Sequence, residues 1–303
     1  MAKVSVIVPN YNHAKFLSQR MESILAQSFR DFEIILLDDC STDNSRELIE
    51  RYRKHDKVAK IIFNEKNSGS TFLQWEKGIT ASSGTYIWIA ESDDFCDVNF
   101  LETAVAKLEN GFDLFYARTI SVDETGKPRE LKSLWTDDIS TTRWNADFEN
   151  NAPGEVKEML FLKNTIPNAS AVVFKRTGKL ASYLEEIKGM RYCGDWIFWM
   201  LYLLDAQRLY YSVSTQNYFR THPSVSRLSH SKEDRNKEVL KVLRFVLKNP
   251  LSNGKHSFLV SYYFETHLYK GEKRTISGNF KSAIKQAMLS PRFISSWVRY
   301  YLR

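Results

Sequence analysis

Glu91, Asp93 and Asp94 fall within four residues, directly after the apolar run Tyr86-Ile87-Trp88-Ile89-Ala90. A run of that kind reads as a buried parallel strand, and acids at its end sit on the rim of a sheet, where a core has no use for them. Glu91 and Asp93 alternate and so extend to the same side. Both can face one hard cation, or one can reach a hydroxyl while the other holds the ion. The plain structural alternative is a solvated acidic turn capping a helix over 98–108. A second acid pair, Asp38-Asp39, closes another apolar run, Phe32 to Leu37. Asp195 heads a strongly aromatic stretch, Trp196 to Leu204, where it is either a reactive acid or one stabilised by the helix dipole by about 0.3–1 kcal/mol. His222 is either a metal ligand or a hydrogen-bonded imidazole.

Regular elements must bring these groups together. Val4 to Val8 is a β-branched run closed by Pro9-Asn10-Tyr11-Asn12, and Phe16, Leu17, Met21, Ile24 and Leu25 recur at helical spacing after it. Phe32 to Leu37 is a second strand, and Leu48, Ile49 and Tyr52 mark a helix that Ser41 or Thr42 would cap. Val58 to Phe63 leads to the loop Asn67-Ser68-Gly69 and to a helix marked by Phe72, Leu73, Trp75 and Ile79. Tyr86 to Ala90 is the fourth strand. Strand and helix in alternation predict an α/β fold with a doubly wound, mostly parallel sheet. In such sheets ligands bind beyond the carboxyl ends of the strands, where every polar cluster named so far lies. Carboxylates gathered there repel one another, so a cation or a hydrogen-bonding ligand is expected. No glycine fingerprint follows the first strand and no phosphate-binding P-loop occurs, which argues against dinucleotide and P-loop chemistry.

Farther on, strands are expected over 112–117, 169–174 and 209–213. Residues 121–153, rich in charge, Thr and Asn, predict a long excursion over the active face that builds an acceptor pocket or lid. Of Trp135, Trp144, Trp196 and Trp199, Trp196 is the candidate to stack on a ligand ring. At 303 residues and 43% hydrophobic the chain can bury a large core, and the three separated cysteines indicate neither a disulfide framework nor a zinc site but a reducing compartment. The net charge of +7 lacks the clustered basic tracts of a nucleic-acid binder, and an anionic small ligand or membrane surface accounts for it equally well. No signal peptide and no run of about 18 apolar residues is evident, so a cytoplasmic location, free or peripheral on the membrane, is expected.

The motifs V-S-V-I-V-P-N-Y-N at 4–12, L-D-D-C-S-T-D-N-S at 37–45, N-S-G at 67–69, E-S-D-D at 91–94, G-D-W at 194–196 and R-T-H-P-S-V-S at 220–226, in this order, resemble a family 2 glycosyltransferase of the GT-A fold. The resemblance implies an inverting transferase that moves a sugar from a UDP-sugar with Mn²⁺ or Mg²⁺ to a glycan or polyprenyl-linked acceptor in surface polysaccharide biosynthesis. It implies that Pro9 and Tyr11 line the base, that Asp39 accepts from a uracil ring nitrogen, and that Asn67, Gly69 and Ser92 belong to the donor site. Asp93 would coordinate the ion. Glu91 holds the first position of the family's D-x-D motif, His222 would complete the metal shell, and Asp195 would be the catalytic base. A GT-A domain is expected over 1–230, with a nucleotide half to about 110 and an acceptor half after it. A basic, mainly helical extension follows over 231–303. In that extension Phe293, Ile294, Trp297, Val298, Tyr301 and Leu302 form a stripe that either docks on the domain or lies in a membrane interface. A nucleotidyltransferase and a non-catalytic nucleotide-sugar-binding module are the rival readings.

Overall fold

The computed structural model describes residues 2–130, 135–222 and 232–252. Its centre is a mixed sheet of nine strands in the order β3-β2-β1-β4-β8-β6-β9-β5, with β7 paired to β9. The first half is the wound pattern expected: β1 (Val4–Asn10), α1 (Ala14–Leu25), β2 (Phe32–Asp38), α2 (Ser45–Arg51), β3 (Val58–Phe63), α3 (Thr71–Ala81) and β4 (Tyr86–Ile89). The chain builds outward from β1 through β2 to β3, then returns to place β4 on the other side of β1, all four strands parallel. This reversal of winding opens a crevice at the carboxyl ends of β1 and β4. The register levels those ends, because Asn10 pairs with Asp38 and Ile7 with Ile89.

Alternate side chains of these strands feed two cores. Val4, Val6 and Val8 pack on one face of the sheet, with Leu17, Met21 and Ile24 of α1, whereas Ile7, Ile35 and Leu37 pack on the other face, with Phe72, Trp75 and Ile79 of α3. Runs without polar alternation are what a sheet buried on both faces requires.

The second half is less regular. β5 (Phe95–Cys96), α4 (Phe100–Glu109), β6 (Leu114–Val122), β7 (Phe148–Asn151), α5 (Ala152–Glu155), β8 (Val172–Lys175), α6 (Leu180–Ile187), α7 (Gly194–Asp205), β9 (Arg208–Arg220) and α8 (Lys232–Lys248) follow in order. β8 runs antiparallel to both β4 and β6, and β9 lies parallel to β6. The strand expected over 169–174 begins with a 3₁₀ turn, Ala169–Ala171, and that over 209–213 is a 13-residue strand. Described parts of the excursion after Ser121 join the body: β6 runs to Val122, β7 pairs with β9, and Trp144 is buried with its Nε1 donating to the Tyr116 hydroxyl. On α8, Val239, Val242, Leu243, Val246 and Leu247 join the core that holds α7. The apolar stripe after Arg292 lies outside the described residues, within which no helix is long and apolar enough to cross a membrane.

Candidate active site

Asp39 organises one end of the crevice. Its Oδ1 accepts from Asn64 Nδ2 (2.6 Å), Ser68 N (2.8 Å) and Gln74 Nε2 (3.0 Å), and its Oδ2 from Ser68 Oγ (2.7 Å). These bonds fold the Asn67–Gly69 loop back over the end of β2. Gly69 turns the loop with φ +69°, a conformation that strains any residue with a Cβ, and a Cβ there would stand 3.0 Å from Arg191 Nη2. Pro9 is buried in β1, while Tyr11, just beyond it, is 44% exposed at the rim.

Asp93 lies at the mouth of β4. Its Oδ2 is 3.0 Å from His222 Nε2, and its carbonyl accepts from Arg220 Nε (2.8 Å). β9 delivers that histidine: it pairs with β5 beside the acid turn, and the Arg220 N–H donates to Asp94 Oδ1 at 3.0 Å. His13, in the turn between β1 and α1, is 2.9 Å by its Nδ1 from Ser92 Oγ, and its ring meets the His222 ring edge-on at 5.2 Å. His13, Asp93 and His222 each present a ligand atom within 4.8 Å of the others, the grouping among the described residues that can hold one ion. Burial pulls the His13 imidazole below its ordinary pKa against the attraction of Asp93. Burial pushes Asp93 up, but His13 and His222 outweigh it and hold the carboxylate below its usual range.

Glu91 does not join this group. Its carboxylate turns into the protein and accepts from Trp75 Nε1 (2.9 Å) and Thr71 Oγ1 (3.4 Å). Burial, with the charge of Asp93 beside it, pushes Glu91 up to about 8. The extra methylene relative to Asp is what carries the group past the rim to Trp75. Among the described residues it is His13, rather than Glu91, that presents a ligand atom beside those of Asp93 and His222. A histidine in the turn after the first strand was the available signal.

Asp195 opens α7, where Oδ2 accepts from Asn164 Nδ2 (3.1 Å) and Oδ1 from Trp196 N (2.8 Å). Burial raises its pKa to about 7 despite both bonds. The residue before it is glycine, and a Cβ there would lie 2.5 Å from the Phe72 ring, so that ring or the helix would have to shift. Trp196 is core, 5% exposed, its Nε1 donating to the Leu160 carbonyl, and cannot stack on a ligand. Among the described residues the exposed tryptophan is Trp135, whose Nε1 donates (2.7 Å) to the carbonyl of Asn164, the residue that bonds Asp195.

The start of α3 joins these clusters. Ser70 donates to the Met190 carbonyl (3.0 Å), Thr71 and Trp75 reach Glu91, Phe72 packs on Gly194, and Gln74 reaches Asp39. One helical turn therefore touches the loop at β2, the acid strand and the approach to α7.

Residues 5–171, more than half the chain, match the family described as Glycosyl transferase family 2. The chain belongs to glycosyl transferase family 2. The glycosyltransferase GlyG of Streptococcus pneumoniae is 35% identical over 123 residues, covering 40% of this chain and 40% of GlyG. TuaG of Bacillus subtilis, a glycosyltransferase named for teichuronic acid biosynthesis, is 32% identical over 194 residues, covering 64% of this chain and 70% of TuaG. The solved structure of Staphylococcus aureus TarS 1–349 with UDP superposes with a TM-score of 0.68 at 18% identity, covering 97% of this chain and 80% of that one. The fold is accordingly GT-A, as the motifs implied, and the family 2 enzymes are glycosyltransferases. The family match ends at residue 171, before Asp195, His222 and α8.

Proposed function

We propose that this family 2 glycosyltransferase transfers a sugar, with inversion, from a UDP-sugar to a hydroxyl of a cell-surface glycan or its lipid-linked precursor. The observation that carries the reading is the crevice itself: a two-histidine, one-carboxylate cluster at the end of β4 and a carboxylate titrating near neutral pH at the head of α7, linked through one turn of α3. The names of relatives support the class of acceptor, since TuaG is named for teichuronic acid and TarS for poly(ribitol-phosphate).

The nucleotide base would lie over Tyr11 and Pro9 and meet Asp39, whose Oδ2 holds a single bond, from Ser68, and can accept another from an N–H. Two imidazoles and one carboxylate suit Mn²⁺ better than Mg²⁺, which prefers oxygen ligands throughout. A bound ion would act as a Lewis acid on the charge that builds on the departing diphosphate. Asp195 takes the proton of the acceptor hydroxyl, and Asn164 together with the Trp196 N–H fixes its orientation. A base with a pKa near the working pH is suited to this, and contributes roughly 10² to 10⁴ in rate. Membership of a transferase family, with such a carboxylate in the crevice, argues for transfer over nucleotidyl transfer or binding alone.

The test is a panel of UDP-sugars assayed for UDP release with Mn²⁺, with Mg²⁺ and with EDTA, the anomeric configuration of the product being read by NMR. The reading expects ion-dependent release, faster with Mn²⁺, and an inverted product. Turnover undiminished in EDTA, or retention of configuration, would refute it.

A further inference from the structure

The segment Met190–Cys193, which leads into α7, is held from two sides. Ser70 of the donor loop binds the Met190 carbonyl. From the opposite side Glu238 of α8 accepts three successive backbone amides: Arg191 N on Oε1 at 2.6 Å, then Tyr192 N and Cys193 N on Oε2 at 2.8 and 3.0 Å. Consecutive amides converging on one point form an anion-binding concavity, and here the anion comes from the same chain, 45 to 47 residues later. Cys193, the N-cap residue of α7, makes no side-chain cap bond; the first-turn amide of Trp196 is met by Asp195 itself, and Glu238 holds the three amides that lead into the helix. Glu238 therefore defines the path by which the backbone enters the helix, two residues before Asp195.

We infer that Glu238 is a positioning residue for transfer: it fixes the backbone over 191–193 and thereby sets the direction of the Asp195 carboxylate, without itself touching substrate. The inference rests on the reading of Asp195 as the base. It makes α8, which lies wholly outside the stretch matching the family, a working part of the active site. The anchoring is directional. Val239 and Val242 lock the helix into the core beside α7, so Glu238 cannot follow the loop if the loop drifts.

Three full-length variants decide it: Glu238→Ala, Glu238→Gln and, as a packing control on the same helix, Val242→Ala. The readouts are turnover of the UDP-sugar that the wild type uses, the affinity for UDP with Mn²⁺ by calorimetry, and Tm. Both Glu238 variants are expected to lose kcat by about tenfold or more, corresponding to 1.4 kcal/mol in the barrier, while UDP affinity holds. Gln loses less, since its amide keeps one acceptor but sets an NH₂ against the remaining N–H groups. Val242→Ala is expected to lower Tm and leave kcat at the wild-type level. Unchanged kcat in both Glu238 variants would overturn the inference. So would kcat and UDP affinity falling together, or a Val242→Ala enzyme as slow as Glu238→Gln at equal loss of Tm. Asp195→Asn in the same assay separates the two readings: if it retains transfer the base assignment fails, whatever Glu238 does.

Discussion

Replacing Asp195 by Asn should make the protein less active and, at alkaline pH, more stable. The folded carboxyl titrates at about 7 against 3.8 for an ordinary aspartate, because burial disfavours its charged form. The native state therefore keeps a proton that the unfolded chain has released between those values. Stability falls as pH rises through that window, and the loss is complete above about pH 7. Three pH units correspond to ~4 kcal/mol, and since the side chain is only half-buried at the crevice we discount this to about 2 kcal/mol. Asn keeps the shape and never ionises. It gives up one acceptor, a cost of about 1 kcal/mol that does not change with pH. Calorimetric melting of both proteins across about pH 4 to 8 thus isolates the ionisation, because the constant cost cancels in the slope. The variant should gain on the wild type as pH rises, by about 2 kcal/mol over the range, while turnover falls roughly 10² to 10⁴. A stability difference independent of pH would refute the view that Asp195 is held near neutrality by its surroundings.

Three further outcomes follow from the geometry. His13→Ala should weaken Mn²⁺-dependent UDP binding about as much as His222→Ala does, roughly 10-fold or more, and calorimetry showing no change for His13 would remove it from the ion's shell. Glu91→Gln should leave that binding intact, because a protonated Glu91 already behaves as a neutral acceptor for Trp75, and loss of ion dependence would restore Glu91 as a ligand. Gly194→Ala should cost about 1–3 kcal/mol by overpacking against Phe72 and slow turnover, and an unchanged Tm would show that α7 can move away.

The half of the fold built from mainly apolar runs was legible in the residues. β1, β2 and β4 are buried, so their hydrophobicity is nearly continuous, interrupted by Ser5 in β1 and Glu33 in β2, and their polar ends mark the crevice. β9 was not legible beyond Val213: Ser214, Thr215, Gln216 and Asn217 carry no apolar alternation, because that strand is specified by its neighbours β6, β5 and β7. The same holds for the site. Asp39, Asp93 and Asp195 announce themselves as acids at element ends, but that Glu91 turns inward depends on Trp75, and that His13 meets His222 depends on β9 reaching across the sheet. Trp144 looks no different in sequence from the exposed Trp135, since burial of a lone aromatic in irregular chain is decided by tertiary packing, whereas Trp196 is buried with the aromatic helix that it opens. Glu238 sits among the charged residues of a basic helix and shows its function only through the three amides that it faces.

The most direct test is a crystal structure of the full chain with Mn²⁺ and a non-hydrolysable analogue of its UDP-sugar. The account predicts an ion held by His13, Asp93 and His222 against the diphosphate, with the sugar's anomeric carbon between that ion and the Asp195 carboxylate. An ion seated on Glu91 with both histidines turned away, or a sugar whose anomeric carbon lies out of reach of Asp195, would contradict it.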